Sequence, residues 1–259
     1  MDMQLADKTA LVTGGTAGIG LEIARSLARE GAKTVITGRS QAKIDAATAE
    51  IGNGVTGIVA DAGTAEGVAA IVAAQPSVDI LVNNLGIYES KDFGDIADAD
   101  WQRLFDVNVM SGVRMSRAYL PGMLARDWGR IIFISSESAL STPVDMIHYG
   151  TTKTAQLAIA RGLAQTTRGT NVSVNSVLPG PTRSEGIEAF LRSQASDPDA
   201  PIAEIEKEFF AVARANSIVQ RMLEAKEIAN LVTFLASPLS SATNGAALRA
   251  EGGLVNTIA

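Results

Sequence analysis

Residues 9–20 read Thr-Ala-Leu-Val-Thr-Gly-Gly-Thr-Ala-Gly-Ile-Gly. The first five form a short run of strand-forming residues, and Gly14, Gly18 and Gly20 follow in a turn that opens a helix ending near Gly31. A glycine-rich turn between a strand and a helix lets phosphate groups approach the backbone N–H groups at the positive end of the helix. The segment therefore predicts a site for a dinucleotide pyrophosphate, against the alternative of a glycine-rich turn that binds nothing.

From this segment onward, strand-like and helix-like segments alternate along the chain. Apolar strands separated by helical segments are typical of a parallel sheet covered by helices on both faces. No repeat or linker divides the sequence, so we expect one doubly wound α/β domain over residues 1–259, with about seven strands. The predicted strands are residues 9–13, 33–37, 55–60, 80–84, 130–135, 172–178 and 246–249, and the later predicted helices are residues 64–74, 98–125, 149–168 and 224–236.

The composition excludes several classes of site. The chain has no cysteine and one histidine, His148, which rules out thiol chemistry and disfavours zinc sites, and we expect no metal site. His148 is expected to line a cleft or the surface rather than to catalyse. A net charge of −6 argues against binding to nucleic acid or to an anionic membrane. Because no apolar run of about 18 residues and no signal-peptide layout is found, a cytoplasmic enzyme without a membrane span is expected.

Tyr149 and Lys153 are spaced for proton transfer. Four residues apart on a helix, they share one face, so the ammonium lies beside the phenol. A phenol loses its proton near pH ~10, and a nearby positive charge lowers that pKa by favouring the phenolate. Ser136, earlier in the chain, is a candidate to bond the oxygen of a carbonyl or alcohol. The three residues predict an acid/base device that needs no metal, thiol or imidazole.

Polar residues follow the third and fourth predicted strands. Asp61 is expected to accept a hydrogen bond from an adenine amine, or else to cap the turn before the next helix. Asn84 and Gly86 lie at the carboxyl edge of the sheet, where ligands of open α/β sheets bind, and we expect them near the cofactor. Asn83 is expected to be mainly structural, because a buried amide must find hydrogen-bonding partners.

Asn108 lies within a predicted helix, between Val107 and Val109. Two interpretations stay open. It is either a solvated helix residue of mediocre helix propensity, or a residue whose side chain or released carbonyl holds a chain of water molecules leading to Lys153.

Several motifs together resemble the short-chain dehydrogenase/reductase superfamily, in that family's order and spacing and across essentially the whole chain. They are Thr13-Gly14-x-x-x-Gly18-Ile19-Gly20, Asn83-Asn84-Leu85-Gly86, Asn108, Ser136, Tyr149-x-x-x-Lys153 and Pro179-Gly180. The resemblance implies a Rossmann-type oxidoreductase that uses NAD(H) or NADP(H) and assembles as a homotetramer. It also implies a catalytic tetrad. Tyr149 is then the general acid/base and Ser136 orients the substrate oxygen, while Lys153 binds the nicotinamide ribose and lowers the pKa of Tyr149, and Asn108 anchors a proton-relay water.

The motifs and the resemblance also predict a cofactor-binding set. Its members are Gly14, Thr16, Gly18, Ile19, Gly20, Arg39, Ser40, Asp61, Ala62, Asn84, Gly86, Tyr149, Lys153, Pro179, Gly180 and Thr182. Arg39 and Ser40 stand where many NAD-preferring relatives carry an acidic residue, and Arg39 is able to pair with a 2′-phosphate. Ala17 stands where many NADP-specific relatives have a second basic residue, and Arg39 is also able to stack on adenine. We expect NADP(H) to be favoured over NAD(H).

The substrate pocket is expected between the loop after Gly86, the segment 137–148 and a lid over residues 182–216. Its mixed apolar and polar lining suits a small-molecule secondary alcohol or ketone. Glu137 is either a group that faces a polar substrate or a solvated charge at the edge of the cleft. The expected lining is Ile87, Tyr88, Leu140, Val144, Met146, Phe190, Phe209 and Phe210, with Asp145, Arg183 and Glu185 as occasional charges.

The predicted function is reversible hydride transfer between NAD(P)(H) and a secondary alcohol or carbonyl compound. Two alternatives stay open. A 3-oxoacyl-[acyl-carrier-protein] reductase would dock an acidic carrier protein, for which Arg126 and Arg130 are candidate contacts. A non-catalytic NAD(P)-binding sensor or scaffold would have no need of Ser136, Tyr149 and Lys153 together.

Overall fold

The computed structural model describes residues 1–184 and 186–258. Its strands are β1 (Thr9–Val12), β2 (Lys33–Gly38), β3 (Thr56–Val59), β4 (Ile80–Asn83), β5 (Gly129–Ile134), β6 (Val172–Pro179) and β7 (Ala247–Ala250). Its α-helices are α1 (Gly18–Arg29), α2 (Gln41–Ile51), α3 (Ala65–Ala74), α4 (Asp98–Leu104), α5 (Ser111–Ala125), α6 (Ile147–Thr166), α7 (Ile187–Gln194), α8 (Ile202–Ala211) and α9 (Ala225–Ala236). In the described part of the chain, no helix combines the length and apolarity needed to cross a membrane.

The strands of the described residues form one seven-stranded parallel sheet in the order β3-β2-β1-β4-β5-β6-β7. β1 pairs with β2 on one side and with β4 on the other, so the direction of winding reverses at this point. In open α/β sheets of this kind, a crevice opens beyond the carboxyl ends of the strands where the order reverses. The topology confirms the predicted Rossmann-type, doubly wound α/β fold and gives the location of its ligand cleft.

Both faces of the central strands are buried under helices, as their apolar residues predict, whereas the edge strands β3 and β7 are exposed or half-buried. Along β5, Ile132 and Ile134 face one apolar cluster, which includes Ile23 of α1, and Ile131 and Phe133 face the other. Alternate strand residues point to opposite faces, so an uninterrupted apolar run can supply both clusters at once. Each large apolar side chain buried in this way stabilises the fold by roughly 1.5–3 kcal/mol.

The region between β4 and β5 differs from the single helix predicted for residues 98–125. A π-helical segment at residues 105–110 separates α4 from α5. It contains Asn108, whose side chain and carbonyl are both engaged outside the helix. Segments of this kind shift the helical hydrogen-bond pattern by one residue and occur frequently at functional sites.

The predicted lid over residues 182–216 contains two helices, α7 and α8. Five buried apolar residues form a separate cluster beneath them: Leu191, Ile205, Phe209, Phe210 and Met222. At its base, Arg183 pairs with Glu206 at 2.7 Å and with Glu224 at 3.1 Å. The segment therefore packs as a unit of its own above the carboxyl edge of the sheet.

Candidate active site

The glycine loop joins β1 to α1 and forms a cradle at the helix start. Gly14 has a φ of +65°, a conformation that L side chains rarely adopt. A Cβ at Gly20 would lie 2.4 Å from the carbonyl oxygen of Gly14 and 2.4 Å from Nδ2 of Asn84, so only glycine fits there. The residue preceding the helix, Ala17, makes no side-chain cap, and no acidic residue lies in the first turn of α1. The first N–H groups of α1 are thus suited to an anionic group such as a pyrophosphate.

Asn84 holds this loop in place. Its Nδ2 donates to the carbonyl oxygens of Thr13 at 2.9 Å and of Gly14 at 3.1 Å, and its backbone N–H donates to the Thr13 hydroxyl at 3.0 Å. Asn84 and Gly86 also line the cleft. Asn83 is buried and donates to the Ser116 hydroxyl at 3.1 Å, as expected for a structural amide.

Ser136, Tyr149 and Lys153 come together in the same cleft. α6 begins at Ile147, two residues before the predicted start, so Tyr149 and Lys153 lie one turn apart on one helix. Lys153 is 4% exposed, and its Nζ donates to the carbonyl oxygen of Ile134 at 3.0 Å. Ser136 is the second residue after β5, and its hydroxyl oxygen accepts from the N–H of Ser138 at 3.1 Å.

The charges around the phenol act differently from the sequence prediction. Burial raises the pKa of Tyr149, and the charge of Glu137 and the neighbouring Tyr88 raise it further, against a hydrogen bond with Ser136 that lowers it. Burial also lowers the pKa of Lys153 to about 8, against the charge of Glu137, which raises it. The net shift of the Tyr149 pKa is therefore opposite to the lowering expected from Lys153, because removing both side chains from water favours their neutral forms.

Asn108 is completely buried, so the interpretation as a solvated helix residue is wrong. Its Oδ1 accepts from the N–H of Ile87 at 2.8 Å, and its Nδ2 donates to the carbonyl of Ile87 at 2.9 Å and to the Thr152 hydroxyl at 3.0 Å. Its own carbonyl accepts from Nε2 of Gln156 at 2.5 Å. The amide thus clamps the loop after β4 to α6, and the proposed water relay through Asn108 stays a prediction.

Glu137 is also buried, with 5% exposure, so it is not a solvated edge charge. Its carboxyl group hydrogen-bonds the hydroxyl of the preceding Ser136. Nε of Arg214 lies 3.8 Å from Oε1 of Glu137. Burial raises the pKa of Glu137, opposed by the Ser136 hydrogen bond and the Arg214 charge. Nothing in the sequence singled out Arg214, which follows α8 and lines the cleft.

The cleft has a volume of about 210 Å³ and gathers many of the predicted residues. Its apolar wall includes Tyr88, Phe190 and Phe209, with the rings of Tyr88 and Tyr149 6.2 Å apart, edge to face. In the part of the chain that the structure describes, no cluster of His, Cys, Asp or Glu could hold a metal ion. The predicted catalytic and cofactor-binding residues that line the cleft are Ile19, Asn84, Gly86, Ser136, Tyr149, Lys153, Pro179, Gly180 and Thr182.

The remaining predicted cofactor residues lie along the carboxyl edge beyond this cleft. Arg39 and Ser40 are exposed after β2, and the Ser40 hydroxyl caps α2 by accepting from the N–H of Lys43 at 3.4 Å. Oδ1 of Asp61 accepts from the N–H of Gly63 at 2.9 Å, which is a capping contact, and the predicted hydrogen bond to an adenine amine stays a prediction.

Ala62 and Thr16, which were also predicted to bind the cofactor, pack against other parts of the protein. The side chain of Ala62 is buried in the core. The side chain of Thr16 lies against Gly38, where a Cβ would come within 2.7 Å of its Cγ2.

Several residues predicted for the pocket lie elsewhere. Leu140 and Val144 are exposed, Phe210 is buried in the lid cluster, and Asp145 accepts a hydrogen bond from Ser90. These outcomes depend on side-chain direction, which segment composition does not specify. Glu185 lies outside the described residues, and Arg183 belongs to the ion pairs at the base of the lid.

His148 and the two arginines predicted to dock a carrier protein also need correction. His148 is fully buried against the Trp101 ring, 5.9 Å between centroids, and not on the surface. Arg130 is 3% exposed and donates to main-chain carbonyls, and Arg126 bonds the Val78 carbonyl and pairs with Asp79 at 3.3 Å. Arg130 lies at the start of β5 and Arg126 lies shortly before it, whereas Ser136 lies beyond the other end of the strand. At ~3.3 Å per strand residue, Arg130 and Ser136 are ~20 Å apart.

Known proteins share this fold and these motifs. A family model described as short chain dehydrogenase matches residues 8–195. The uncharacterized oxidoreductase YvaG of Bacillus subtilis is 49% identical, with 100% of both chains covered. The 3-oxoacyl-[acyl-carrier-protein] reductase FabG of Aquifex aeolicus is 32% identical over 98% of this chain and 100% of its own.

A solved structure resembles the whole chain. The L-sorbose reductase of Gluconobacter frateurii, complexed with NADPH and L-sorbose, superimposes with a TM-score of 0.92 at 30% identity, covering 100% of both chains. The resemblance noted in the motifs is thus confirmed in sequence and in fold. The chain therefore belongs to the short-chain dehydrogenase family and is an oxidoreductase that uses a nicotinamide cofactor.

Proposed function

We propose that the protein transfers hydride reversibly between a nicotinamide cofactor and a small secondary alcohol or ketone. The observation that carries the proposal is the meeting of the Ser136 hydroxyl, the Tyr149 phenol and the Lys153 ammonium in one cleft, which Ile19 of the glycine loop also lines. A phenol, an ammonium and a hydroxyl at one point supply a proton, a charge and an orienting hydrogen bond to a reacting oxygen.

The proposed cofactor-binding residues follow the cleft from one end to the other. The glycine loop and the first turn of α1 would hold the pyrophosphate, which the space at Gly20 and the uncapped helix start support. Asn84, Gly86, Lys153 and residues 179–182 would hold the nicotinamide and its ribose. When bound, the cofactor supplies or accepts the hydride.

The chain's own residues then handle the proton. Because burial raises the pKa of Tyr149, its phenol keeps its proton at neutral pH and is ready to donate it to a carbonyl oxygen during reduction. In the reverse direction the same oxygen accepts the proton of the alcohol. Ser136 bonds the substrate oxygen, and Asn108 holds the loop at Ile87 against α6.

We further propose that NADP(H) is preferred over NAD(H). Arg39 is exposed at the end of β2, directly before the start of α2, and no acidic residue lies in the first turn of α2. A guanidinium and a helix start together favour a 2′-phosphate. The relative that superimposes with a TM-score of 0.92 is complexed with NADPH, which supports the same preference.

The substrate we propose is small and carries polar groups. The cleft volume of about 210 Å³ lies below the ~300–1,000 Å³ common for drug-sized ligands. Its lining combines aromatic rings with Ser136, Glu137 and Arg214. A small hydroxyketone matches this mixture, and the likeness to a reductase complexed with L-sorbose supports it. A carrier-bound 3-oxoacyl thioester is less well supported, since Arg126 and Arg130 lie at the other end of the sheet.

The experiment is a panel assay with the purified full chain. Small ketones, ketoses, their alcohols and 3-oxoacyl thioesters are offered with NADPH and with NADH, and the change in nicotinamide absorbance is followed. We expect reduction of small polar ketones with NADPH, and none by the Tyr149→Phe variant. Binding of both cofactors without turnover of any compound would support the sensor or scaffold alternative and overturn the proposal.

We also propose that the protein assembles as a homotetramer in the cytoplasm, as its family resemblance implies. On α6, Ala158 is exposed whereas Ala164 is buried within the subunit, so a subunit contact made by this helix would involve Ala158 and not Ala164. Light scattering of the purified protein measures the mass directly. A monomeric mass at the assay concentration would contradict the tetramer.

A further inference from the structure

Glu137 places a carboxyl group directly behind the hydroxyl that faces the substrate. It follows Ser136 in the chain, is 5% exposed, and its carboxyl group hydrogen-bonds the Ser136 hydroxyl. Nothing in the proposed proton transfer uses this group. The inference below rests on the proposed function, because it concerns which hydrogen bond Ser136 offers to a substrate oxygen.

The hydrogen-bonding capacity of Ser136 is limited. A serine hydroxyl has one O–H to donate and two lone pairs to accept with. One lone pair already accepts the N–H of Ser138 at 3.1 Å. The contact with Glu137 therefore takes either the O–H of Ser136 or its second lone pair, and the choice depends on whether the carboxyl group carries a proton.

The two states leave Ser136 with opposite capacities. An ionised Glu137 can only accept, so Ser136 gives it the O–H and keeps one lone pair for the Tyr149 phenol or a substrate hydroxyl. A protonated Glu137 can donate to Ser136, which then keeps its O–H for the substrate. A ketone oxygen needs a donor, and so does the oxygen of an alcohol whose single O–H is given to Tyr149.

We propose that Glu137 is a positioning residue whose proton selects the hydrogen bond that Ser136 makes to the substrate. Both directions cross one transition state, in which Ser136 donates to the substrate oxygen, so the protonated form of Glu137 supports both and the ionised form withdraws the O–H from both. Ketone reduction and alcohol oxidation thereby acquire the same pH-dependent loss through one buried carboxyl group. No bond to the substrate is made by Glu137 itself.

The groups that face Glu137 set its proton equilibrium. Arg214, at the end of the lid, lies 3.8 Å away and favours the ionised form, as does the hydrogen bond from Ser136. From α6, Tyr149 and Lys153 interact with its charge. Burial acts against all of these and raises the pKa of Glu137 above that of an ordinary glutamate. The same burial keeps solvent from replacing the Ser136 contact.

The first test compares pH profiles of kcat/KM in both directions for the wild-type protein and Glu137→Gln. The glutamine cannot ionise, and its amide N–H can donate to Ser136 as the protonated acid does. We expect wild-type ketone reduction to fall about tenfold per pH unit above the pKa of Glu137. The Glu137→Gln rate stays level across that interval, so the ratio of variant to wild type rises about tenfold per pH unit. Because both directions share one transition state, the ratio of variant to wild type for alcohol oxidation should rise by the same factor over the same interval.

The matched control is Glu50→Gln, which removes an exposed carboxyl group paired with Arg25. Its profiles should follow those of the wild type. Because the charge of Glu137 raises the pKa of Lys153, the Lys153 titration moves to lower pH in Glu137→Gln; that shift lowers the ratio of variant to wild type and so does not mimic the expected rise. If Glu137→Gln lowers both directions by one factor at every pH, Glu137 is merely structural and the inference is wrong.

A second measurement does not depend on turnover. Infrared difference spectra of the wild-type protein across a pH titration should contain the C=O band of one protonated carboxylic acid that disappears as the pH rises. The band should be missing in Glu137→Gln and displaced in Ser136→Ala, because the latter loses the hydrogen-bonding partner. If no alcohol or ketone reacts, the proposed function fails while this titration still reports the link. A band that is unchanged in Ser136→Ala would overturn the inference alone.

Discussion

Nζ of Lys153 lies 5.6 Å from the centroid of the Tyr149 ring, one turn further along α6. Both side chains share the cleft with Ser136, and Lys153 is anchored to the carbonyl oxygen of Ile134. Burial is the largest influence on the pKa of each side chain, and it favours the neutral form of both. The following predictions test this arrangement and the cofactor cleft beside it.

Tyr149→Phe should remove turnover and leave the cleft intact. The change deletes only the phenolic oxygen, so we expect kcat to fall by roughly 10²–10⁴-fold, the usual contribution of a general acid. Affinity for NADPH should change by less than about threefold, equivalent to well under 1 kcal/mol. Steady-state kinetics and fluorescence titration with NADPH measure the two quantities. Turnover at the wild-type rate would show that another group transfers the proton.

Lys153→Met should stabilise the protein at neutral pH while it abolishes activity. Burial lowers the pKa of Lys153 from 10.5 to about 8, so between these values the unfolded chain holds a proton that the folded chain lacks. The free energy of unfolding that depends on Lys153 therefore rises with pH over that interval. Below pH 8, the full cost of burying the charged ammonium lowers the stability of the folded protein by about 3 kcal/mol. Removing the ammonium removes that penalty and so raises the free energy of unfolding. Loss of the hydrogen bond to the Ile134 carbonyl lowers it again by about 1 kcal/mol.

Urea unfolding at several pH values measures this effect. We expect Lys153→Met to be more stable than the wild type at pH ~7, with the gain shrinking above pH ~8. Lys226→Met, at an exposed position on α9, is the control and should change stability by less than ~0.5 kcal/mol. A variant less stable than the wild type at neutral pH would mean that the ammonium is a net stabilising group.

Arg39→Ala should weaken NADPH binding much more than NADH binding. A charge-assisted hydrogen bond contributes about 1.5–3 kcal/mol, which corresponds to a loss of about 10–150-fold for NADPH alone. Fluorescence titrations with both cofactors at two salt concentrations measure the difference. Arg168→Ala, exposed after α6, is the charge-matched control. Equal losses for both cofactors would remove the basis for a 2′-phosphate preference.

Gly20→Ala and Gly162→Ala should act in opposite directions. A Cβ at Gly20 would lie 2.4 Å from the Gly14 carbonyl oxygen, so the glycine loop must shift and both thermal stability and NADPH affinity should fall. Gly162 lies within α6 with no atom within 4 Å of its Cβ position, so alanine there should stabilise the helix by about 0.5–1 kcal/mol. Calorimetry and cofactor titration compare the two variants. Normal cofactor binding by Gly20→Ala would contradict the proposed role of the loop.

Much of the fold followed from local pattern. Apolar runs of strand length, separated by helical segments, predicted the parallel sheet and its order of elements, because burial on both faces requires apolar residues throughout a strand. The tyrosine–lysine pair was equally predictable, since a spacing of four residues on a helix places two side chains on one face. Glycines at the start of α1 identified the cradle for the same kind of local reason.

Contacts between distant segments were not predictable in this way. Arg214 reaches Glu137 from the end of the lid, and Asn108 bonds Ile87 and Thr152 from a π-helical segment that the helical pattern concealed. Arg130 was predicted to contact an acidic carrier protein, yet its side chain is buried and donates a hydrogen bond to a main-chain carbonyl.

The amino-acid sequence alone determined the order of the strands and helices, the glycine loop at the start of α1 and the spacing of Tyr149 and Lys153 on one helix, because each depends on residues close together in the chain. Only the tertiary structure decided that Glu137 is sealed behind Ser136, and that Tyr149 and Lys153 are removed from water. Those facts depend on which segments pack over the cleft. Since desolvation depends on the surroundings of a side chain and not on its neighbours in sequence, the proton equilibria of the cleft are a property of the fold.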